Sequence, residues 1–287
     1  MAWLSLARQH DAMAAEHNDS PERNSRHSVR IVYNLNSKHQ KERRKAIKVL
    51  VIPDCHLKPW MFAQADAIVK KGIADKAVCL MDLADDFGVH GDAQYLETYE
   101  TAITFAKEHP DTLWCYGNHD LNYIWGEPET GFHPEKRGLV CQEIKKLTNA
   151  LPKKSQIAYI HKIDKTLFMH GGLSNYFVES QIAPQNRKNI IAVIRAINQM
   201  GSDAMWTMDS PIWYRPQLSL DSDAKQLYRG RKYLQVVGHT PVKEVYLEGG
   251  VLSCDTFSTY RDGTPYGSQS FCIVDTVAWE FETVKVA

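Results

Sequence analysis

The sequence is short of the features that would tie it to a membrane or to nucleic acid. No stretch reaches the roughly 18 apolar residues of a membrane span, and the N-terminus lacks the apolar core of about 7–15 residues that marks a secretory leader. Net charge is missing too: Lys and Arg total 34, Asp and Glu also 34, in 287 residues. No global basic field exists to hold nucleic acid or an acidic bilayer, so an anionic substrate must be met locally. Six cysteines occur, Cys55, Cys79, Cys115, Cys141, Cys254 and Cys272, but no Cys-x-x-Cys pair, which excludes a zinc knuckle or a thioredoxin-type motif. Most of these thiols lie in apolar runs. A reduced, cytoplasmic setting is expected, and no internal repeat or low-complexity tract appears.

Residues 1–45 read as a polar arm. They are rich in His and Arg, contain the breaker Asn18-Asp19-Ser20-Pro21, and end in the charge run Lys41-Glu42-Arg43-Arg44-Lys45. A nucleic-acid tether is one reading of that run, but nothing else in the chain supports it, and a solvated lead-in to the first strand is preferred. The expected core domain is 46–287, long enough to bury a full interior.

What the core does have is a repeated arrangement of strand ends. Lys48-Val49-Leu50-Val51-Ile52 is a continuous apolar run suited to a strand covered on both faces, and Pro53-Asp54-Cys55-His56 follows it. Asp-x-His sets an oxygen and a nitrogen donor two residues apart, so both can reach one divalent ion. A helix over about 62–71 leads to the strand Ala77–Met81 and then to Asp82-Leu83-Ala84-Asp85-Asp86-Phe87-Gly88. After a helix over about 94–108, Leu113-Trp114-Cys115-Tyr116 delivers Gly117-Asn118-His119-Asp120. Two further apolar strands stop at a histidine, in Met169-His170-Gly171-Gly172 and in Gly238-His239-Thr240-Pro241, with glycines that let the backbone pass close to whatever the histidine holds. Any one of these has an ordinary explanation, as a helix cap or a satisfied core histidine. Five in one chain, all past the carboxyl ends of strands where open α/β sheets place ligands, are not independent accidents.

The ordered set resembles the calcineurin-like metallophosphoesterase superfamily, closest to its bacterial and phage serine/threonine phosphatase-like branch. The resemblance implies a four-layer α/β/β/α sandwich with a two-metal centre at the strand ends. Carried over residue by residue, Asp54 and His56 would hold one ion, Asp82 would bridge, and Asn118, His170 and His239 would hold the second. A hydroxide shared by the ions would attack phosphorus. His119 would stand free of the metals and protonate the leaving oxygen, with Asp85 fixing its ring; the plainer alternative for His119 is a structural role. Mixed oxygen and nitrogen donors suit manganese or iron, with zinc also compatible.

Within that superfamily Gly238-His239-Thr240-Pro241 is informative, because many phosphodiesterase branches carry a second histidine where Pro241 stands. A phosphomonoesterase acting on a phosphoprotein or small phosphate ester is therefore expected, with a phosphodiesterase or dinucleoside-polyphosphate hydrolase as the alternative, and a non-catalytic scaffold as the alternative of another class. Two departures matter. Met81 stands where the family pattern has glycine, which is expected to put a side chain where bare backbone runs past the ions. Asp86 stands where phosphoprotein phosphatases have the arginine that grips phosphate, so a negative charge replaces the clamp. Arg215, in Trp213-Tyr214-Arg215-Pro216, is the expected substitute, ahead of Arg229 and Arg231; for all three the plain reading is a surface charge on an apolar stem.

Residues 121–151 and 181–231 are expected to form a lid of helix and loop. The second contains a helix over 188–200 with Ile190, Ile191, Ile194 and Ile197 on one face, then Trp206, Trp213 and Tyr214, which either pave a groove or pack the insertion against the body. The tail is β-rich, and Asp255-Thr256 is expected to be structural.

Overall fold

The computed structural model describes residues 46–218 and 226–286; the expected polar arm 1–45 and part of the expected lid, 219–225, lie outside them. Two sheets form its centre. The first runs β11-β10-β1-β2-β3-β4, where β1 is Lys48–Ile52, β2 Lys76–Cys79, β3 Leu113–Cys115, β4 Ile157–Ala158, β10 Ser270–Asp275 and β11 Phe281–Lys285. β1 to β4 are parallel and the tail hairpin adds antiparallel to β1. The second runs β5-β6-β7-β9-β8, with β5 Ile160–Ile163, β6 Thr166–Met169, β7 Leu234–Val237, β8 Tyr246–Glu248 and β9 Val251–Ser253, parallel through β6, β7 and β9.

The period of two along each strand builds the layers. Val49, Val51, Val78 and Cys272 of the first sheet meet Phe168, Val236 and Leu252 of the second in one apolar cluster between the sheets. The alternate residues, Leu50, Ile52, Cys79 and Trp114, turn the other way onto α1 (Trp60–Lys70), α2 (Asp92–Glu108) and α4 (Arg137–Ala150). On the far face of the second sheet, Leu167, Met169 and Val237 pack under α5 (Asn175–Gln181) and α6 (Ile190–Ile197). The result is the expected α/β/β/α sandwich, with the central strands β1, β6 and β7 buried on both faces along their apolar runs.

The two expected lid segments contribute mainly to the helical layers. From 121–151, α4 places Val140, Ile144 and Leu147 in the first core, and α3 (Asn118–Trp125) lies before it. From 181–231, α6 is shorter than its apolar pattern predicts and buries Ile190, Val193 and Ile197, leaving Ile191 exposed. The buried face follows the spacing of three and four. Asn189 caps it by accepting from Ile191 and Ala192 N–H, and the Asn198 side chain ends it by pairing with both backbone groups of Ile160. No helix among the described residues is long and apolar enough to cross a membrane.

Candidate metal centre

The first two motif loops are held as an extension of the sheet. Beyond β1 and β2 the backbone continues to pair, with Cys55, His56 and Leu57 N–H donating to Met81, Asp82 and Leu83 carbonyls at 3.1, 2.8 and 3.1 Å. Four residues there lie in the left-handed region, His56 and Leu57 at φ 41° and 55°, Met81 and Asp82 at 55° and 42°. Each costs about 1 kcal/mol or more for a residue with a Cβ, and such strain persists only where the surroundings fix it. This accounts for a glycine in the family pattern at the Met81 position. The expected intrusion of a side chain does not occur: Met81 is fully buried in the apolar cluster on the helix side of the first sheet.

Asp82 is the hub. Its Oδ2 lies 3.1 Å from His170 Nε2 and 3.9 Å from His56 Nε2. Asp54, His56 and Asp82 form one donor group, Asp82, His170 and His239 a second, each with donor atoms within 4.8 Å of one another. Asn118 Oδ1 adds an oxygen 3.0 Å from His170 Nε2. The six residues named from sequence thus converge, with Asp82 common to both groups.

The arrangement fits divalent cations on three grounds. His56 and His170 each direct Nδ1 at a backbone carbonyl, of Asp85 at 2.9 Å and Leu80 at 3.0 Å. A carbonyl only accepts, so Nδ1 carries a proton and Nε2 is the nitrogen turned toward Asp82, the one whose lone pair a metal takes once any proton on it is released. Asp54 Oδ2 accepts the His239 N–H at 2.8 Å while its buried Oδ1 takes no hydrogen bond among the described residues. Third, a Cβ on Gly117 would overlap Asp82 Oδ1 and one on Gly238 would overlap Asp54 Oδ1. Those glycines are where the backbone runs tight against the carboxylates. Gly171 and Gly172 have a different cause from the one expected, since their N–H groups donate to Pro211 and Tyr214 carbonyls and a Cβ on either would strike that loop.

Electrostatics matches this reading. Burial, then the Asp255 charge, pushes Asp54 well above the carboxylate range. Burial works against a charged His170, but Asp82 and Asp54 outweigh it and raise the imidazole to about 9. Asp82 is pulled down because His170 and the other imidazoles overcome its burial. Anions and imidazoles crowded in a buried wedge share protons, and cations compete for the same lone pairs.

His119 lies beside this group with its Nδ1 3.1 Å from Asp85 Oδ2. Tyr95 and Tyr123 hydroxyls donate to the other oxygen of Asp85, at 3.0 and 2.5 Å, which fixes the carboxylate. Although burial disfavours the imidazolium, Glu129 and Asp85 raise His119 well above the usual histidine range. Arg215 is brought against the centre: its Nη1 donates to the His239 carbonyl at 2.6 Å and to Thr240 Oγ1 at 3.2 Å. Burial lowers its pKa, and it lies in the field of Asp255, Asp54 and Asp82. Arg229 is instead committed to the Lys188 carbonyl and the Tyr228 ring, and Arg231 is exposed.

Four residues beyond the expected set shape the site. Asp120 accepts the N–H groups of Asp82, Leu83 and Gly117 at 2.9, 3.1 and 3.1 Å, tying the second motif loop to the third. Its place three residues past Gly117, the N-cap of α3, is a capping-box position readable in sequence. Lys58, 8% exposed, donates to Asp86 Oδ2 at 2.8 Å and to the His56 carbonyl at 3.1 Å, and Thr259 donates to Asp86 Oδ1 at 3.1 Å. The negative charge expected to face the substrate is therefore matched by a lysine. Glu129, in the loop between α3 and α4, accepts from Asn118 Nδ2 on both oxygens at 3.0 Å. Burial raises its carboxyl to about 7. Asp255, expected to be structural, accepts from Ser258 Oγ on both oxygens at 2.9 Å and acts on Asp54 and Arg215 through its charge.

A four-layer sandwich with carboxylate and imidazole donors gathered at strand ends defines a metal-dependent hydrolase of the phosphoesterase type. The chain belongs to the calcineurin-like phosphoesterase family, whose model matches residues 47–265. No curated protein gives a significant match. Among solved structures it is similar to a cold-active protein-tyrosine phosphatase from a psychrophilic Shewanella species, at 17% identity and TM-score 0.53, covering 84% of this chain and 81% of that one. It also matches a metallophosphoesterase from Sphaerobacter thermophilus at 17% identity and TM-score 0.40, over 84% and 89% of the two chains. An archaeal phosphodiesterase matches at 12% identity and TM-score 0.38, over 84% and 100%.

Proposed function

We propose that this phosphoesterase is a phosphomonoesterase acting on a phosphoprotein or a small phosphate ester, with manganese or iron at two sites sharing Asp82. The observation that carries the monoester reading is Arg215, a half-buried guanidinium fixed on the His239 carbonyl beside the imidazoles. A monoester dianion gains from such a group next to cations, where a diester monoanion gains less. Asp86, the negative charge in place of the phosphate clamp, is countered by Lys58. The Shewanella structure, described as a tyrosine phosphatase, agrees with this reading. The catalytic domain is residues 46–287, with 1–45 an arm, and we place the protein in the cytoplasm because of its thiols and balanced charge.

Asp54 and His56 would hold one ion, Asn118, His170 and His239 the other, and Asp82 both. When bound, such ions supply Lewis acidity that makes water nucleophilic near neutral pH and screens the phosphate. The chain does the rest. Asp85, held by two tyrosines, keeps the His119 ring in one orientation with Nδ1 protonated, so Nε2 is the atom that delivers a proton to the leaving oxygen. Arg215 neutralises and orients the phosphoryl group.

The test is hydrolysis of para-nitrophenyl phosphate against its bis ester by protein stripped and reloaded with manganese. We expect monoester preference, a loss of about 10²–10⁴-fold in His119→Ala, and a loss of several orders of magnitude in Asp82→Asn. Bis ester preference would overturn the monoester reading. Activity unchanged in both variants would overturn the site.

A further inference from the structure

An asparagine ligand carries an ambiguity that a carboxylate does not. Its two ends have nearly the same shape, yet only the oxygen can bind a cation, and the NH2 turned inward would repel one. Something must choose. In this protein Asn118 Oδ1 faces His170 Nε2 at 3.0 Å, and its Nδ2 faces away, onto both oxygens of Glu129 at 3.0 Å each. With both Glu129 oxygens at hydrogen-bond distance from the amide nitrogen, the flipped amide would set its own oxygen against them in a site where that side chain is 7% exposed. Buried acceptors turned on one another, with the NH2 left without its partner, cost more there than in water.

The loop that carries Glu129 is built to hold it there. Gly131 stands at φ 85°, with the place of its Cβ 3.4 Å from His119 Cε1 and 3.5 Å from Asp85 Cβ. The His133 N–H donates to the Tyr123 hydroxyl at 3.2 Å, the same hydroxyl that donates to Asp85. At the loop's far end, Arg137 Nε donates to the Tyr123 carbonyl at 2.8 Å, fixing it to the end of α3. Glu129 Oε1 also lies 3.7 Å from His119 Nδ1. One short loop therefore touches the two consecutive residues to which the proposed function gives metal binding and proton delivery.

We infer that Glu129 is a positioning residue for the second metal site, selecting the amide orientation of Asn118 that offers its oxygen to the ion. The inference rests on the ligand role given to Asn118 above. Groups that orient a ligand typically govern metal affinity by about 10–100-fold, so Glu129→Ala, which leaves Asn118 Nδ2 without its acceptor, is expected to weaken one of two manganese sites by that factor and leave the other unchanged. Glu129→Gln keeps an acceptor oxygen at the same reach and is expected to restore most of the affinity.

Manganese titration by calorimetry, with the spin-coupled signal of paired Mn(II) followed by electron paramagnetic resonance, reads this without activity. Unfolding of the stripped proteins by urea runs alongside. We expect wild type to bind two ions with a coupled signal, Glu129→Ala to bind one tightly with an uncoupled signal, and Glu129→Gln to recover the pair. Two tight sites in Glu129→Ala would overturn the inference and leave the metal centre standing. Loss of the second site in both variants alike, with stripped stability unchanged, would mean that charge rather than amide orientation is at work, and would also overturn it. If Glu129→Ala does not fold, Glu129→Gln with its pair intact supports the inference and without it refutes it. A wild type that binds no pair overturns this inference together with the proposed function.

Discussion

Asp120 shows how much of this centre depends on a group that need touch neither metal nor substrate. Its carboxylate collects three backbone N–H groups from two loops, and one of those loops is in left-handed geometry at Met81 and Asp82. Take the carboxylate away and three buried donors lose their acceptor, each at roughly 1–3 kcal/mol. We predict that Asp120→Ala lowers the unfolding free energy by at least about 3 kcal/mol and reduces manganese affinity, because Asp82 loses its backbone anchor. Urea denaturation of the stripped protein checks the first part; a change below about 1 kcal/mol would show that water or a rearranged loop serves the donors equally well. The residue scale is also where the sequence was hardest to read. Asp54, His56, Asp82, Asn118, His170 and His239 were legible because each follows a strand and because the order of motifs is distinctive. Lys58 and Glu129 were not, since a lysine two residues after a ligand and a glutamate in a loop carry no periodicity or spacing, and their partners lie 28 and 11 residues away.

At the scale of elements, patterning predicts well what a strand or helix is and less well what covers it. The apolar run of β1 reads as a doubly covered strand, and those of β6 and β7 as apolar strands, because parallel strands between two layers leave no solvated face. The helix over 188–200 was overdrawn, because Asn198 gives its side chain to Ile160 of β5 and the chain turns away after Ile197. The same strand supplies a second prediction. His161 of β5 is buried against the Trp114 carbonyl of β3 at 3.0 Å, and burial lowers its pKa to about 4. The folded protein keeps this imidazole neutral, whereas the unfolded chain takes up a proton near pH 6.5. Between those values the unfolded state binds more protons, so the contribution is fully present above about pH 6.5 and is lost as pH falls toward 4. The loss should approach about 2 kcal/mol at pH 5, from about 1.4 kcal/mol per pH unit. His161→Gln should flatten that part of the stability profile while lowering stability at pH 7; urea midpoints at pH 5 and 7 that shift equally in both proteins would refute the assignment.

Across the whole domain, the donors are divided between the two sheets. Asp54, His56, Asp82 and Asn118 follow β1, β2 and β3 of the first, and His170 and His239 follow β6 and β7 of the second. What joins the sheets at that end without cations is a set of shared protons and hydrogen bonds, His170 to Asp82 at 3.1 Å and the His239 N–H to Asp54 at 2.8 Å. Ions held by both sheets would cross-link them, and ligands from opposite sheets cannot stay assembled in the unfolded chain, so binding energy becomes folding energy. Free manganese at about 100 times its dissociation constant should therefore add about 2.7 kcal/mol per site to the stability of the stripped protein. The gain must depend on pH, because His170, raised to about 9 by Asp82 and Asp54, has to release its proton before Nε2 can bind. Lower pH keeps that proton on, so affinity and the added stability should both fall from pH 8 to pH 6, with a proton released on binding at either pH. Calorimetric unfolding with manganese and with a chelator at the two pH values measures this directly. A melting temperature that does not respond to manganese at pH 8 would mean that the two sheets are not bridged by metal, and equal stabilisation at both pH values would remove His170 from the ligand set.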